Sequence, residues 1–346
     1  MKNVNMKKWM VLLLSIAMVL SVLAGCTSGG SGSGKAEVPE SMTAPLNIGT
    51  LMGPTGMGMA GLISEENAPM MNVTVYDAPD QAMAGLLNGD LDVAAIPSNV
   101  AAVLYNKTEG GVQLLGVNTG GVLYLLSNNA ESVSSLADLK GKTVYASGMG
   151  GVPEYAFKAL MQNAGLAEDD IELVWMNSHA DVVSTLISQG GYALVPEPQV
   201  TVAGSKADTV SVDLDINAMW KEAFGYDLPM GVVACRKEVA ETRPGDLLYF
   251  LNEYNKVLES YNADKDAAAE TIAAAGILPA AGIAKQAMPR CNIMLETGFE
   301  AAKGILTPLY ETLFSYNPQA VGGKIPEDDF YFAKDHESNF SIKLEF

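Results

Sequence analysis

Short apolar segments alternate with amphipathic segments from residue 46 to residue 195, and this alternation strongly limits the possible folds. We predict strands over 46–52, 73–76, 93–96, 112–117 and 122–127, with helices over 81–87 and 99–105 between some of them. A second unit starts at a strand over 143–146 and continues with a helix, a strand over 171–176, a helix over 181–188 and a strand over 192–195. Strands separated by helices of this length are typical of βαβ units, so the sequence predicts an α/β protein.

The composition narrows the class of protein further. A chain of 346 residues is long enough for about two domains, and further helices are predicted over 244–261, 265–274, 280–288 and 296–313. With 40 acidic and 21 basic residues the net charge is −19, which repels a phosphate backbone and argues against nucleic-acid binding. Only two histidines are present, so we predict no metal site and no cofactor.

The first 26 residues have the features of a secretory signal. Lys2, Lys7 and Lys8 precede an apolar run over 9–24, which is shorter than the roughly 20 residues that a membrane-spanning helix needs. The run ends in Leu-Ala-Gly-Cys, which resembles the bacterial lipoprotein box. The resemblance implies that the signal peptide 1–25 is removed and that Cys26 carries acyl chains such as palmitate, which anchor the protein at the extracytoplasmic face of the cell membrane. An uncleaved membrane anchor is the alternative.

Residues 26–44 are predicted to comprise the lipidated Cys26 and a tether. Its segment TSGGSGSG, at 27–34, consists of small residues that cannot build a core. The other cysteines of the chain, Cys235 and Cys291, are predicted to be free thiols, because no disulfide framework is present.

Four turns that directly follow predicted strands are the candidate ligand site. Their sequences are GPTGMG at 53–58, IPSN at 96–99, SGMGGVPE at 147–154 and VPEPQ at 195–199. Ligands of open α/β sheets bind beyond the carboxyl ends of the strands, and glycines there let a backbone approach a ligand. Neither Gly-rich turn has the dinucleotide pattern G-x-G-x-x-G or the G-K-[ST] of a P-loop. Tight βα connections without a ligand are therefore the alternative.

Isolated polar residues give weaker signals. We interpret His179 as a polar residue at a helix start rather than a ligand, and Asp92 as a polar strand start. Arg290 could clamp an anionic group or form a surface ion pair. No Ser/His/Asp order with a nucleophile elbow is present, so the sequence does not predict an enzyme.

Several segments together resemble a known family. They are the lipoprotein box, the Gly/Ser tether, NIGTLMGPTGMGMAGL, NGDLDVAAIPSNVAAVLY, LADLKGKTVYASGMGGVPEYAFKALMQNAGL and ALVPEPQVT. They resemble solute-binding lipoproteins of ABC transporters, in the nitrate/sulfonate/taurine and thiamine-precursor group. The resemblance implies a two-lobe Venus-flytrap fold (periplasmic binding protein type II). Each lobe would be a mixed, mainly parallel sheet flanked by helices, and two strands would cross between the lobes, near 123–128 and 230–234. Lobe 1 would comprise 45–126 plus 230–346, and lobe 2 would comprise 127–229.

The same resemblance implies which residues face the solute. Lobe 1 would supply Pro54, Thr55, Gly56, Met57, Ser98 and Asn99, and lobe 2 would supply Ser147, Gly148, Met149, Gly150 and Glu197. The first turn contains no cation, whereas sulfonate or nitrate binders would be expected to have one there. The expected solute is therefore a small organic molecule that is neutral or weakly anionic, with heteroaromatic compounds among the candidates.

The function implied by the resemblance is capture of that solute and its delivery to an ABC permease, whose import step is driven by a separate ATPase subunit. The protein is expected to work as a monomer. Two alternatives stay open from the sequence. One is an enzyme on the same fold, related to menaquinone-pathway enzymes or pyrimidine synthases, and the other is a lipid-anchored solute sensor.

Overall fold

Two mixed β-sheets with flanking helices organise the residues that the structure describes, which are 38–63 and 70–346. The structure is a computed structural model. The predicted signal peptide 1–25, the lipidation at Cys26 and most of the predicted tether 26–44 lie outside the described residues. Within the described ranges, none of the helices is both long and apolar enough to cross a membrane.

The elements follow one another in the order that the sequence pattern indicates. The strands are β1 (Leu46–Leu51), β2 (Met71–Tyr76), β3 (Val93–Pro97), β4 (Val112–Thr119), β5 (Leu123–Asn128), β6 (Thr143–Ser147), β7 (Glu172–Met176), β8 (Gly191–Pro196), β9 (Val210–Asp215), β10 (Gly231–Arg236), β11 (Ile293–Glu296) and β12 (Ser341–Lys343). The helices are α1 (Pro54–Met59), α2 (Pro79–Asn88), α3 (Ser98–Lys107), α4 (Val152–Asn163), α5 (His179–Gln189), α6 (Gln199–Lys206), α7 (Ile216–Phe224), α8 (Lys237–Thr242), α9 (Pro244–Ala263), α10 (Lys265–Ala274), α11 (Ala281–Ala287) and α12 (Phe299–Tyr316).

Local sequence signals explain where many helices begin and end. Pro79 and Pro244 are the first residues of their helices, where a missing N–H leaves no bond unmade. Asp215 caps α7 by accepting hydrogen bonds from the backbone N–H groups of Asn217 and Ala218. Gly89 ends α2 with a φ of 83°, a conformation that favours glycine.

The first sheet has seven strands in the order β12-β11-β4-β10-β3-β1-β2, and the second has five in the order β7-β6-β8-β5-β9. The prediction of mixed sheets is confirmed, but the sheets are not mainly parallel. Parallel pairing is confined to β1 with β2 and β3, and to β6 with β7 and β8. The remaining pairs are antiparallel. In the second sheet β5 runs opposite to its neighbours β8 and β9. In the first sheet β10 runs opposite to β3 and β4, and β11 runs opposite to β4 and β12.

The chain crosses between the sheets at two short segments. The first is 120–122, because all six residues of β5 pair with β8 in the second sheet. The predicted lobe boundary at 126/127 therefore cuts through β5, and the first crossing lies a few residues earlier than expected. The second crossing lies between α7 and β10, where the Met230 N–H donates to the Thr119 carbonyl oxygen at 3.0 Å.

One apolar core extends across both sheets. Phe157 and Leu160 of α4, beside the second sheet, belong to the same buried cluster as Leu309 and Leu313 of α12 from the first part of the fold. A second cluster fills the other side of the seven-stranded sheet, and there Cys235 and Cys291 are buried free thiols, as predicted. The two halves thus share apolar contacts besides the two crossing segments.

Candidate functional site

A cavity of about 840 Å³ lies between the two sheets, at the strand ends where a ligand was expected. The last residues of β1, β3, β7 and β8 line it, namely Leu51, Pro97, Met176 and Pro196. A volume of this size suits a small organic molecule.

Six residues that the sequence predicted for the site lie in the wall of this cavity. Pro54, Thr55 and Asn99 come from the first half, and Gly148, Met149 and Gly150 from the second. Met149 is 69% exposed, and Met52 on the opposite side is 46% exposed. Residues from both Gly-rich turns therefore line the same cavity.

Gly56 and Met57 lie behind the wall, which corrects their predicted placement. The helix α1 begins at Pro54, and after Thr55 its residues turn away from the cavity. Met57 is fully buried, and its Sδ lies 3.7 Å from Cys291 Sγ. A side chain at position 56 would collide with the Leu51 carbonyl oxygen and with Ile277. Glycine at 56 and methionine at 57 thus serve the packing of α1 against the core.

Ser98 and Ser147 are also displaced from the cavity surface. Ser98 is the first residue of α3, and its buried hydroxyl donates to the Pro229 carbonyl oxygen at 2.8 Å. Ser147 is 1% exposed and contacts the ring of His179, with 2.5 Å between Oγ and Nδ1. Both hydroxyls are therefore hydrogen-bonded to protein atoms rather than directed at a solute.

Glu197 forms a buried ion pair instead of a solute contact. Its side chain is fully buried, and its Oε1 lies 2.5 Å from Nε of Arg290, which belongs to the other half of the fold. The Thr201 hydroxyl donates to Oε1 at 3.1 Å. Burial raises the pKa of the Glu197 carboxyl, and Arg290 opposes that rise. Arg290 therefore does not clamp an anionic solute. Its ion pair is also not one between two surface groups, because Glu197 is buried.

His179 is a residue of the site that sequence reasoning missed. It is the first residue of α5, as expected, but its ring lies in the cavity wall. Loss of hydration lowers the pKa of His179 to about 4, so the ring is neutral near pH 7. The signal that could have revealed it is its place three residues after the end of β7, beside β6, at the strand ends.

Asn99 connects the two halves across the cavity. Its Nδ2 donates to the Gly150 carbonyl oxygen at 3.0 Å and to the Ala320 carbonyl oxygen at 3.2 Å. Its Oδ1 has no hydrogen-bond partner within the described part of the chain. One amide thus spans the gap between α3 and the turn that leads into α4.

The wall is apolar and carries almost no charge. Trp175 and five methionines line it, namely Met52, Met83, Met149, Met176 and Met230. Asp80 is the only carboxylate among the described lining residues, and none of those residues is a lysine or an arginine. The described residues also contain no group of three His, Cys, Asp or Glu side chains that could hold a metal ion. Such a wall can hold an apolar or aromatic body with a few directed hydrogen bonds.

Comparison with known proteins supports the fold. Residues 73–213 match the model of a family described as NMT1/THI5 like. An ABC transporter structure from Parabacteroides distasonis is 21% identical, with a TM-score of 0.69 over 83% of this chain and 98% of that chain. The periplasmic aliphatic sulphonate binding protein of Escherichia coli is 16% identical, with a TM-score of 0.65 over 85% and 97% of the two chains.

A further similar structure is the periplasmic nitrate-binding protein of Synechocystis PCC 6803. It is 12% identical, with a TM-score of 0.63 over 88% of this chain and 90% of that chain. The search of curated proteins found no match. The fold expected from the sequence is thereby confirmed. The chain has the fold of the type II periplasmic binding proteins, and its residues 73–213 are similar to the NMT1/THI5-like family.

Proposed function

We propose that this protein is an extracytoplasmic solute-binding lipoprotein of an ABC importer. It captures a small organic solute between its two lobes and delivers it to the permease. The observation that carries the proposal is the cavity of about 840 Å³ between the facing Gly-rich turns, at the carboxyl ends of the parallel strands. The relatives of similar fold named above as sulphonate- and nitrate-binding proteins are consistent with this role.

The chemistry of the wall selects the class of solute. Sulphonate and nitrate are anions, and no lysine or arginine among the described lining residues could pair with one. Trp175 and the methionines favour an apolar or aromatic body, while Asn99 and His179 provide directed polar contacts. The solute that fits this wall best is an uncharged organic compound of small size.

Capture follows from the arrangement of two lobes around one site. A solute that contacts both lobes stabilises the closed form by as much as it prefers that form over the open one. The lobes proposed are 45–126 plus 230–346 and 127–229, and the pairing of β5 with β8 supports a first crossing at 120–122. The closed monomer would then dock on the permease. The sequence contains no P-loop, so a separate subunit would hydrolyse ATP.

Lipidation of Cys26 is the part of the proposal that rests on sequence, through the Leu-Ala-Gly-Cys box at 23–26. We expect protein from the membrane fraction to lack residues 1–25, and its first peptide to begin at Cys26 with the added mass of acyl chains. Peptide mass spectrometry checks both points. In the control variant Cys26→Ala, residues 1–25 should remain attached. An unmodified Cys26 still joined to residues 1–25 in the parent protein would show an uncleaved anchor instead.

Trp175 offers a direct test of solute binding. Because its indole lies in the cavity wall, we expect a bound solute to change its fluorescence emission, and the same solute to raise the melting temperature. The measurement is an emission titration of the purified protein with a panel of neutral, cationic and anionic aromatic compounds. Neutral compounds should give the largest changes.

The matched control is Trp175→Phe. Trp220 is fully buried against Phe224 and lies outside the cavity wall, so its emission should stay constant. The remaining tryptophan, Trp9, is absent from the proposed mature protein, so the variant in mature form should show no response. An equal response in parent and control would place binding elsewhere. A preference for anionic compounds would contradict the proposed solute class, and chemical conversion of a bound compound would favour an enzyme.

A further inference from the structure

The contacts of the His179 ring differ at its two nitrogens. Nδ1 lies 2.5 Å from the Ser147 hydroxyl oxygen. Nε2 makes no hydrogen bond within the described residues, and the ring forms part of the cavity wall. In a neutral imidazole one nitrogen carries the proton and the other accepts, so the partner of Nδ1 decides what Nε2 can do.

Among the described residues, the hydroxyl proton of Ser147 has one hydrogen-bond acceptor, Nδ1 of His179. The side chain is 1% exposed, and its hydroxyl makes no other hydrogen bond within the described residues. If Nδ1 donated to the hydroxyl, the buried hydroxyl proton would have no acceptor, which is costly. If the hydroxyl donates to Nδ1, both groups are satisfied. The buried position of Ser147 therefore favours the tautomer with the proton on Nε2.

The backbone around His179 favours the same neutral form. His179 is the first residue of the eleven-residue helix α5, and the Ser178 side chain caps that helix by accepting from the Asp181 N–H. The partial positive charge at a helix start opposes a second proton on the ring. Asp181, in the same first turn, is the only acidic residue there, and no charged side chain contributes to the shift in the pKa of His179.

We propose that Ser147 holds His179 as the neutral tautomer protonated at Nε2, and that this N–H donates a hydrogen bond to an acceptor on the solute. Ser147 is a positioning residue and His179 a specificity-determining one. The donor role deepens the proposed function and rests on it. The solute is then an uncharged compound that bears a carbonyl oxygen or an unprotonated ring nitrogen directed at the second lobe. Such a donor discriminates strongly, because a solute without an acceptor leaves a buried N–H unpaired.

Nuclear magnetic resonance of ¹⁵N-histidine-labelled protein tests the tautomer without any solute. The chain has two histidines, so the variant His336→Gln assigns the resonances. At pH 7 we expect a protonated Nε2 and an unprotonated Nδ1 at His179, with the other tautomer on the order of tenfold less populated. Ser147→Ala should shift the ratio toward that of free histidine, and Ser147→Thr should restore it. A proton on Nδ1 of the parent protein overturns the proposal.

The donor role is tested with benzamide, an uncharged aromatic probe with a carbonyl acceptor, and with toluene as its apolar counterpart. At a benzamide concentration that saturates the Trp175 response, the Nε2–H resonance of His179 should move, whereas toluene should leave it in place. An unmoved resonance at saturation overturns the donor role. The spectrum without solute is independent of the fluorescence titration. A wrong tautomer assignment and a lack of solute binding can therefore be told apart.

Discussion

Replacing Arg290 by methionine should lower the free energy of unfolding by about 3 kcal/mol at pH 8, since removal of one partner of a buried ion pair leaves an uncompensated charge. The Glu197 side chain is fully buried, and Arg290 supplies its only cation among the described residues. Methionine keeps much of the length of the arginine side chain, so the loss reflects the charge more than the packing.

The loss should shrink as the pH falls. Burial already raises the pKa of Glu197, and Arg290 counteracts that effect, so the variant should have a Glu197 pKa that is higher still. A folded-state pKa above the unfolded value means that the folded variant binds more protons, and its stability therefore decreases as the pH rises through that pKa. Because protonation removes the charge that Arg290 would otherwise compensate, the variant should lie closer to the parent protein at pH 5 than at pH 8.

Urea unfolding at pH 5 and pH 8 checks this expectation. A double-mutant cycle with Glu197→Gln and the double variant isolates the coupling, and the double variant should be more stable than Arg290→Met alone at pH 8. The matched control is Lys221→Met, which removes an ion pair with Asp227 at 3.0 Å in which both side chains are exposed. The control should cost less than about 1 kcal/mol. Equal losses for Arg290→Met and the control would show that the buried ion pair contributes no more to the free energy of unfolding than an exposed one.

A decrease in pH from 7 to 4 should remove about 3 kcal/mol of stability through His179 alone. Loss of hydration lowers the pKa of His179 from 6.5 to about 4. Each pKa unit corresponds to about 1.4 kcal/mol. Between these two values the unfolded chain takes up a proton that the folded protein does not, so stability falls as the pH decreases through this range. Above pH 6.5 His179 should contribute no pH dependence.

The comparison of parent protein and His179→Gln isolates this contribution, since carboxyl groups titrate alike in both. We expect the unfolding free energy of the parent to fall more steeply below pH 6.5 than that of the variant, with the difference levelling off near pH 4. Chemical unfolding at half-unit pH steps measures it. The variant His336→Gln should retain the steep dependence of the parent. Parallel curves for parent and His179→Gln would contradict the expectation.

The fold was accessible from the sequence because its elements are short and strongly patterned. Strands such as Leu46–Leu51 and Val93–Pro97 are apolar runs that end in turn residues, and the helices between them begin at proline or at capping residues. The pairing direction was less accessible, because alternation of strands and helices does not tell which strand crosses to another sheet. The antiparallel pairs of β5 and β10 depend on those crossings.

The site was predictable where backbone position decides the contact. Gly148, Gly150 and Pro54 follow strand ends, and the position of their backbone is enough to bring them to the cavity wall. Ser98 and Met57 depend on the direction of a side chain within the first helical turn, which the sequence does not give. Glu197 follows a strand end as expected, but its partner Arg290 is 93 residues away in the chain, and no local pattern reveals such a pair.

The core shared by α4 and α12 couples opening of the protein to temperature. Phe157, Leu160, Leu309 and Leu313 are buried in one cluster, and any opening motion that separates the two helices would hydrate apolar surface. Hydration of apolar surface raises the heat capacity, so the equilibrium between closed and open forms would follow a curved rather than a linear van't Hoff plot. The affinity for the proposed solute, which depends on that equilibrium, would then also change with temperature along a curve.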